Sequence, residues 1–427
     1  MHELHETSSE ARRAIAVAVQ TPDVDDEALE RSLAELERLA VTLGHRVVGK
    51  VHQRRAHFDP GHYVGAGKVA ELKARIEADE ADLLLIDHEI SPSQARNLEK
   101  ETGAEVLDRT AVILEIFQRH ARSRAAKAQV EIVRLEYMAP RMREQAKGQG
   151  DRQRGGIGGK GEGESKLELD RRKIRDRIKE LKEQLEELEE ERRTQRARRK
   201  DLRRAALVGY TNAGKSTLMR ALTHSDVYIA DKLFATLETT VRTLEPPARP
   251  PILVSDTVGF IHRLPHDLVA SFKSTLDEAL EASLLLHVVD ASDPAWRHEK
   301  RVTEQVLAEI GAADVPRLVV MNKIDRVADD AATRQALALE LPGAVIMSAL
   351  RPSDVAELRH VLIEHFAKSL VVEEVLVPHT NAHALGEVYQ SCEVLAEAWD
   401  EVGGRLQVRA TPEGLARVRR ALEGDVG

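Results

Sequence analysis

Residues 205–217 read Ala-Ala-Leu-Val-Gly209-Tyr210-Thr211-Asn212-Ala213-Gly214-Lys215-Ser216-Thr217. A short apolar run leads into Gly209, and four residues separate Gly209 from Gly214-Lys215-Ser216. The spacing predicts a buried strand, a glycine-rich turn and a helix. Glycines in such a turn let several backbone N–H groups point inward at a phosphate. Lys215 can then reach the β- and γ-phosphates, and the Ser216 hydroxyl can bind Mg²⁺. The N-terminal end of the following helix favours the same anion. The pattern implies a phosphate-binding loop in an α/β domain, with contacts running from Gly209 through Thr217.

Three stretches downstream extend this reading. Asp231–Arg242 follows the helix and holds Phe234, a candidate nucleotide contact, and several threonines. A threonine in such a loop can coordinate Mg²⁺ through its hydroxyl and sense the γ-phosphate through its N–H. Thr240 is our choice, with Thr236 and Thr239 as rivals. Ile252–Gly259 reads as a buried strand ending in Asp256-Thr-Val-Gly259. Asp256 would hold Mg²⁺ through water, and the Gly259 N–H would meet the γ-phosphate. Val319–Asp325 ends in Asn322-Lys323-Ile-Asp325. Asp325 can accept from guanine N1 and the 2-amino group, which adenine does not offer. Asn322 can bind N7, and the Lys323 stem can lie along the base. Ser348-Ala349-Leu350 would supply a backbone N–H for guanine O6. The order of the motifs implies a Mg²⁺-dependent enzyme hydrolysing GTP to GDP and phosphate.

We assign Lys215, Thr240, Gly259 and Asn212 to catalysis. Phe260 stands where many GTPases place a glutamine that orients the attacking water, and phenylalanine has no hydrogen-bonding group for that task. Asn212 is a candidate ligand for a monovalent cation, K⁺, whose charge would replace that of an arginine finger.

Composition sets outer bounds. A chain of 427 residues suggests about two to four domains. The single cysteine, Cys392, excludes an internal disulfide framework. It falls in an amphipathic-looking helix and reads as packing. No apolar run is long enough to span a membrane, and the N-terminus lacks a basic-then-apolar signal. A cytoplasmic monomer without membrane insertion is expected. The net charge of −9 argues against a purely electrostatic nucleic-acid binder. Basic residues nevertheless cluster between 118 and 204. Aromatics are too scarce for a base-stacking platform.

The expected fold is multidomain α/β. Residues 1–110 read as an N-terminal α/β domain, with strands at Ala14–Gln20, Arg46–His52, Leu83–Asp87 and Val106–Thr110. Leu29, Leu33, Leu36 and Leu39 mark an amphipathic helix between the first two. Gly65-Ala-Gly67-Lys68 lacks the spacer and hydroxyl of a second phosphate loop, and reads as a helix-entry turn needing glycine torsions. Residues 111–203 read as a helical hairpin. Its first helix covers 111–139, and Pro140 ends or kinks it. Eight glycines between Gly148 and Gly163, with Arg152, Arg154 and Lys160 among them, form a basic loop. Ile174, Ile178, Leu181, Leu185 and Leu188 form a heptad seam for the returning helix. Residues 204–368 form the GTP-binding domain, and 369–427 a small C-terminal domain.

These residues together resemble the HflX family of ribosome-associated GTPases. The nucleotide motifs match, and so do Tyr63–Lys68, Asp87-His-Glu-Ile-Ser-Pro92, Arg96-Asn-Leu98, Asp108-Arg-Thr110, Gln129-Val-Glu131, Gly156-Ile-Gly158, Glu164–Glu168 and Asp170-Arg-Arg172. The likeness covers roughly 45–370, and the following residues look like the family's C-terminal appendage. There are departures. Glu162 stands where the glycine loop usually has proline, Lys166 replaces glutamine, and Glu238-Thr239-Thr240 replaces Asp-Pro-Thr. The resemblance implies binding of the large ribosomal subunit and its rRNA in the GTP state, and splitting of stalled or idle ribosomes under stress. The other class left open is a GTP-switched signalling module whose N-terminal domain binds a protein.

Overall fold

The computed structural model describes residues 11–150, 162–197, 202–225, 233–234, 236–237, 239–263, 265 and 273–423. The chain forms two compact units. The first holds residues 1–189 together with 231–237 and 262–272, and the second holds the remainder.

The first unit contains a parallel sheet of β1 (Arg13–Gln20), β2 (Arg46–Arg54), β3 (Leu83–Ile86) and β4 (Glu105–Asp108), in the order β2-β1-β3-β4. These are the four strands read from the apolar runs. β1 and β3 are the inner strands and are almost wholly buried. That burial on both faces is why their sequences are continuous apolar runs. Helix α1 (Asp26–Thr42) starts where Asp25 accepts from the Ala28 N–H at 2.7 Å, and it buries Leu29, Leu33, Leu36 and Leu39.

Helices α2 (Ala66–Ala78) and α3 (Pro92–Thr102) follow β2 and β3. The torsional reading of Gly65 is corrected. Its φ of −69° suits any residue. Space is no firm constraint either, because the atom nearest a Cβ there, Arg55 Nη1 at 2.5 Å, is the far end of a flexible side chain.

The single helix expected over 111–139 is two. Helix α4 (Arg109–His120) stops before Ser123, whose Oγ accepts from Ala126 N at 3.2 Å as α5 (Arg124–Gly150) begins. Pro140 does not end α5 but lies inside it. The anchors beside it explain why. Tyr137 Oη donates to Asp108 at 2.7 Å, and Arg141 bonds Asp108 at 2.7 Å and the Ile90 carbonyl at 3.0 Å. These bonds hold the helix across the one N–H that proline lacks. Helix α6 (Glu162–Ala197) returns along α5. Ala128, Ile132 and Leu135 meet Ile178, Leu181 and Leu185, and Arg177 pairs with Glu131 at 3.0 Å. The hairpin is as expected. Residues 151–161 of its basic loop lie outside the described residues.

A charged cluster sits under the first sheet. Arg109, 2% exposed, bonds Asp87 at 2.9 Å and also Glu35. Ser32 donates to Asp87 at 2.7 Å. Glu35, Asp87 and Arg109 sum to one negative charge. Arg263, contributed by the 262–272 segment, pairs with Asp87 at 3.2 Å and balances it.

The second unit has a six-stranded sheet of β5 (Arg203–Gly209), β6 (Thr240–Thr243), β7 (Ile252–Asp256), β8 (Leu284–Asp290), β9 (Arg317–Asn322) and β10 (Val345–Ile346). The order is β10-β9-β8-β5-β7-β6, parallel except for β6 against β7. Helices α7 (Lys215–Thr223), α8 (Lys273–Leu280), α9 (Trp296–Glu309), α10 (Asp330–Glu340) and α11 (Pro352–Ala367) connect these strands or follow them. The C-terminal part has antiparallel strands β11 (Val371–Pro378), β12 (Glu393–Trp399) and β13 (Gly403–Ala410), ordered β11-β13-β12, with helices α12 (Ala382–Ser391) and α13 (Pro412–Glu423). Cys392 is buried just past α12, and burial pushes its thiol up to about 11. It packs with Val377, Leu406 and Val418. No described helix is long and apolar enough to cross a membrane.

Removing Arg109 would leave two buried carboxylates without their shared partner. Arg109→Met is expected to destabilise the first unit by about 3–5 kcal/mol, read as a lower urea midpoint for its unfolding.

Candidate nucleotide site

The phosphate loop joins β5 to α7. Gly209 has φ 149° and Gly214 φ 94°. Each position is crowded as well as left-handed. A Cβ on Gly209 would stand 2.2 Å from the Val288 carbonyl oxygen, and one on Gly214 would stand 2.3 Å from Asn322 Nδ2. Asn212 also takes a left-handed conformation, φ 60°, which asparagine tolerates better than most residues. Lys215 is buried, and its Nζ donates to the Gly209 carbonyl at 3.1 Å and the Tyr210 carbonyl at 2.7 Å. Burial lowers its pKa to about 8. A phosphate in the loop would favour the charged form.

The residues assigned to Mg²⁺ come together. Ser216 Oγ donates to Asp256 Oδ2 at 2.7 Å across forty positions of sequence. Asp256 is fully buried, and Thr240 is its register partner across β6 and β7. Hydroxyl and carboxylate oxygens are the hard donors that Mg²⁺ takes, so the residues present fit the ion. Gly259 is close-packed, since a Cβ would lie 2.9 Å from Thr211 Cα and 3.0 Å from Lys215 Nζ. Phe260 is buried, with its N–H bonded to the Gly209 carbonyl at 3.1 Å and its carbonyl to the Thr211 N–H at 2.7 Å. It extends β7 alongside the phosphate loop and offers the attacking water no polar atom.

Phe234 is held by aromatic packing. With Thr236, it belongs to the first unit. Its ring, 2% exposed, meets Phe117 edge-on at 4.7 Å, and its carbonyl bonds His120 Nδ1 at 2.7 Å. An edge-on aromatic pair is worth about 0.5–1.5 kcal/mol beyond the area it buries.

The guanine motif lies at the ends of β9 and β10. Asn322 is 1% exposed. Its Nδ2 donates to the Ala213 carbonyl at 2.9 Å, and its Oδ1 accepts from the Ala349 N–H at 2.9 Å. One hydrogen on Nδ2 remains for a base. Lys323 spans from Asp290 at 2.7 Å to the Asn212 carbonyl at 2.6 Å, so its stem is held across the loop. Asp325 is exposed in a short 3₁₀ turn, Ile324–Arg326. The N–H groups expected at guanine O6 are hydrogen-bonded within the protein. The Ser348 N–H donates to Asp354 at 2.9 Å, and that of Ala349 is taken by Asn322. Leu350 N–H, bonded to Ser348 Oγ at 3.2 Å, is the longest-held of the three. Asp290 and Asp354 are the site residues that sequence reasoning missed. The only signal was position, at the end of the apolar β8 run and in the first turn of α11.

A phosphate loop on a mostly parallel sheet, a serine–aspartate pair for Mg²⁺ and an Asn-Lys-x-Asp turn define a P-loop GTPase, a hydrolase acting on GTP. Three family models match in succession. "GTP-binding GTPase N-terminal" covers 30–118, "GTP-binding GTPase Middle Region" covers 120–199, and "50S ribosome-binding GTPase" covers 204–323. The GTPase HflX of Gluconacetobacter diazotrophicus is 51% identical, with 98% of this chain and 99% of that one aligned. That of Escherichia coli K12 is 38% identical over 92% of this chain and 93% of that one. This chain belongs to the GTPase HflX family. A GTP-binding protein from Sulfolobus solfataricus, solved with GDP, is 25% identical across 83% of this chain and 99% of that one, with a TM-score of 0.43.

Two substitutions test the site. Gly214→Ala forces a side chain into a left-handed residue, which alone costs about 1–2 kcal/mol. GTP affinity measured with a fluorescent analogue should fall about tenfold or more. Asp325→Asn replaces a charged acceptor, and loss of such bonds is worth about 1.5–3 kcal/mol. It should weaken GTP while improving xanthosine triphosphate, whose 2-oxo group accepts from the new amide, in a competition assay.

Proposed function

We propose that this GTPase binds the large ribosomal subunit in its GTP state and dissociates stalled or idle ribosomes. The observation that carries the reading is the hairpin of α5 and α6 on the N-terminal sheet. Its two helices flank a segment rich in glycine and arginine. Small residues allow close approach to RNA, and Arg152, Arg154 and Lys160 would meet phosphates. The match of residues 204–323 to a 50S ribosome-binding GTPase family supports the same partner.

The nucleotide would govern binding through the chain itself. Leu233 and Phe234 lie between the phosphate loop and Thr240, and Arg263 lies four residues after Gly259. All three belong to the first unit, where Leu233 N–H donates to Thr42 at 3.3 Å and Arg263 pairs with Asp87. Ordering of Thr240 and Gly259 around the γ-phosphate therefore pulls on residues packed in the N-terminal unit. In this reading Lys215 and the Gly259 N–H steady the γ-phosphate while water attacks in line. The bond between the β–γ bridging oxygen and the γ-phosphorus then breaks, leaving GDP and phosphate. Mg²⁺ held by Ser216, Thr240 and, through water, Asp256 supplies charge neutralisation when bound. Asn212 would hold K⁺ beside the phosphates. Its left-handed backbone is a separate reason for asparagine there.

Co-sedimentation with purified large subunits tests the partner. The protein should pellet with a non-hydrolysable GTP analogue and remain soluble with GDP. Charge removal at Arg152, Arg154 and Lys160 should weaken pelleting and flatten its salt dependence. Pelleting in neither nucleotide state would overturn the ribosome reading and point to a protein partner. For the cation, GTP turnover should be faster in K⁺ than in Na⁺ and should lose that difference in Asn212→Asp. Equal rates in both salts would remove K⁺ from the mechanism.

A further inference from the structure

Arg203 opens β5, at the far end of that strand from the phosphate loop. Its side chain is 6% exposed, and its Nε and Nη2 have no hydrogen-bond partner. A charge taken out of water without compensation costs several kcal/mol in a real protein. The neighbouring carboxylates are already engaged. Glu393 accepts two N–H groups of Arg409, at 2.9 and 2.6 Å, and Glu387 pairs with Arg417 at 3.1 Å. The carboxylates around Arg203 are paired with other arginines, and its guanidinium faces the Phe366 ring at 5.9 Å without an ion pair of its own. Burial accordingly lowers its pKa to about 10.

Arg203 lines a cleft with Pro250 on one side and Gln390, Thr411 and Arg417 on the other. Thr411 precedes α13. Its Oγ1 accepts from the Gly414 N–H at 3.0 Å, and its own O–H is left to donate. The cleft thus combines a buried guanidinium without an ion-pair partner, two of whose nitrogens lack hydrogen bonds, with a hydroxyl at the N-terminal end of a twelve-residue helix. Both favour an anion. The phosphate loop is six residues away along an extended strand, about 20 Å at the usual rise. The two sites are therefore separate.

We propose that this cleft is a second oxyanion site, which takes one phosphate group between the guanidinium of Arg203 and the hydroxyl of Thr411. The ligand is inorganic phosphate or the phosphate of a small phosphomonoester. Its guanidinium contact lies on the six-stranded domain and its hydroxyl contact on the C-terminal domain, so a bound phosphate ties the two together. Arg417 already shares its charge with Glu387, and it borders the site without neutralising it.

The test is calorimetric titration of inorganic phosphate, and separately of glycerol phosphate, into the full chain. The protein is first loaded with Mg²⁺ and a non-hydrolysable GTP analogue, which fills the γ-phosphate position of the phosphate loop. One saturable site is expected in the wild type. A charged hydrogen bond is worth about 1.5–3 kcal/mol, so Arg203→Met should lose about tenfold to a hundredfold in affinity. Thr411→Val should lose less. Tighter glycerol phosphate than phosphate identifies a phosphomonoester as the ligand, and the reverse identifies the free ion. Arg203→Met should also melt no lower than wild type in phosphate-free buffer, because it removes an uncompensated buried charge. Absence of saturable binding in the wild type overturns the proposal, whether or not the variants fold. Equal affinity in wild type and Arg203→Met overturns it as well.

Discussion

Asn322 is the tie on which the nucleotide site depends. One amide donates to the Ala213 carbonyl of the phosphate loop and accepts from the Ala349 N–H beyond β10. Three loops at the carboxyl ends of three strands are thereby held by one side chain that is 1% exposed. The same amide fills the space that a Cβ on Gly214 would need. The loop is therefore held open by crowding as much as by glycine's torsional freedom. Lys323 adds a second span from Asp290 to the Asn212 carbonyl. Base recognition and phosphate recognition are mechanically one object, because the residues that would read guanine also brace the loop that would cradle its phosphates.

A second constraint governs the N-terminal unit. Burying Glu35, Asp87 and Arg109 together leaves one charge to balance, and Arg263 from the segment after Gly259 balances it. Removing one partner of such a cluster is costly even where forming it gains little. The N-terminal sheet is in this way completed by residues that lie between nucleotide motifs in the sequence. The Phe117–Phe234 contact repeats the arrangement with apolar groups. Charge and packing each recruit one of the two segments that flank Thr240 and Gly259.

Much of this was legible from residue order. The apolar runs became strands, the leucine spacing became α1, and the heptad seam at Ile178, Leu181 and Leu185 became the inner face of a hairpin. Each of these rests on local periodicity, which does not depend on distant partners. Readings failed where a distant partner decided the outcome. Pro140 stays inside α5 because Asp108 anchors Tyr137 and Arg141 on either side of it. Gly65 has an ordinary torsion, and the atom nearest its Cβ position is the movable end of Arg55.

The sequence by itself determined the chemistry of the site: which residues can bind phosphate, Mg²⁺ and guanine, and the order in which alternating strands and helices present them. Those properties follow from side-chain type and short spacings. The tertiary structure alone decided which unit each segment joins, which N–H groups are already committed, and which charges are left unbalanced. Arg203 illustrates the division. In the sequence it is one arginine in a basic stretch; in the fold it is a buried cation whose neighbouring carboxylates have both been taken by other arginines. Hydrogen-bond satisfaction and charge balance are sums over three-dimensional neighbours, and no local pattern in the chain encodes them.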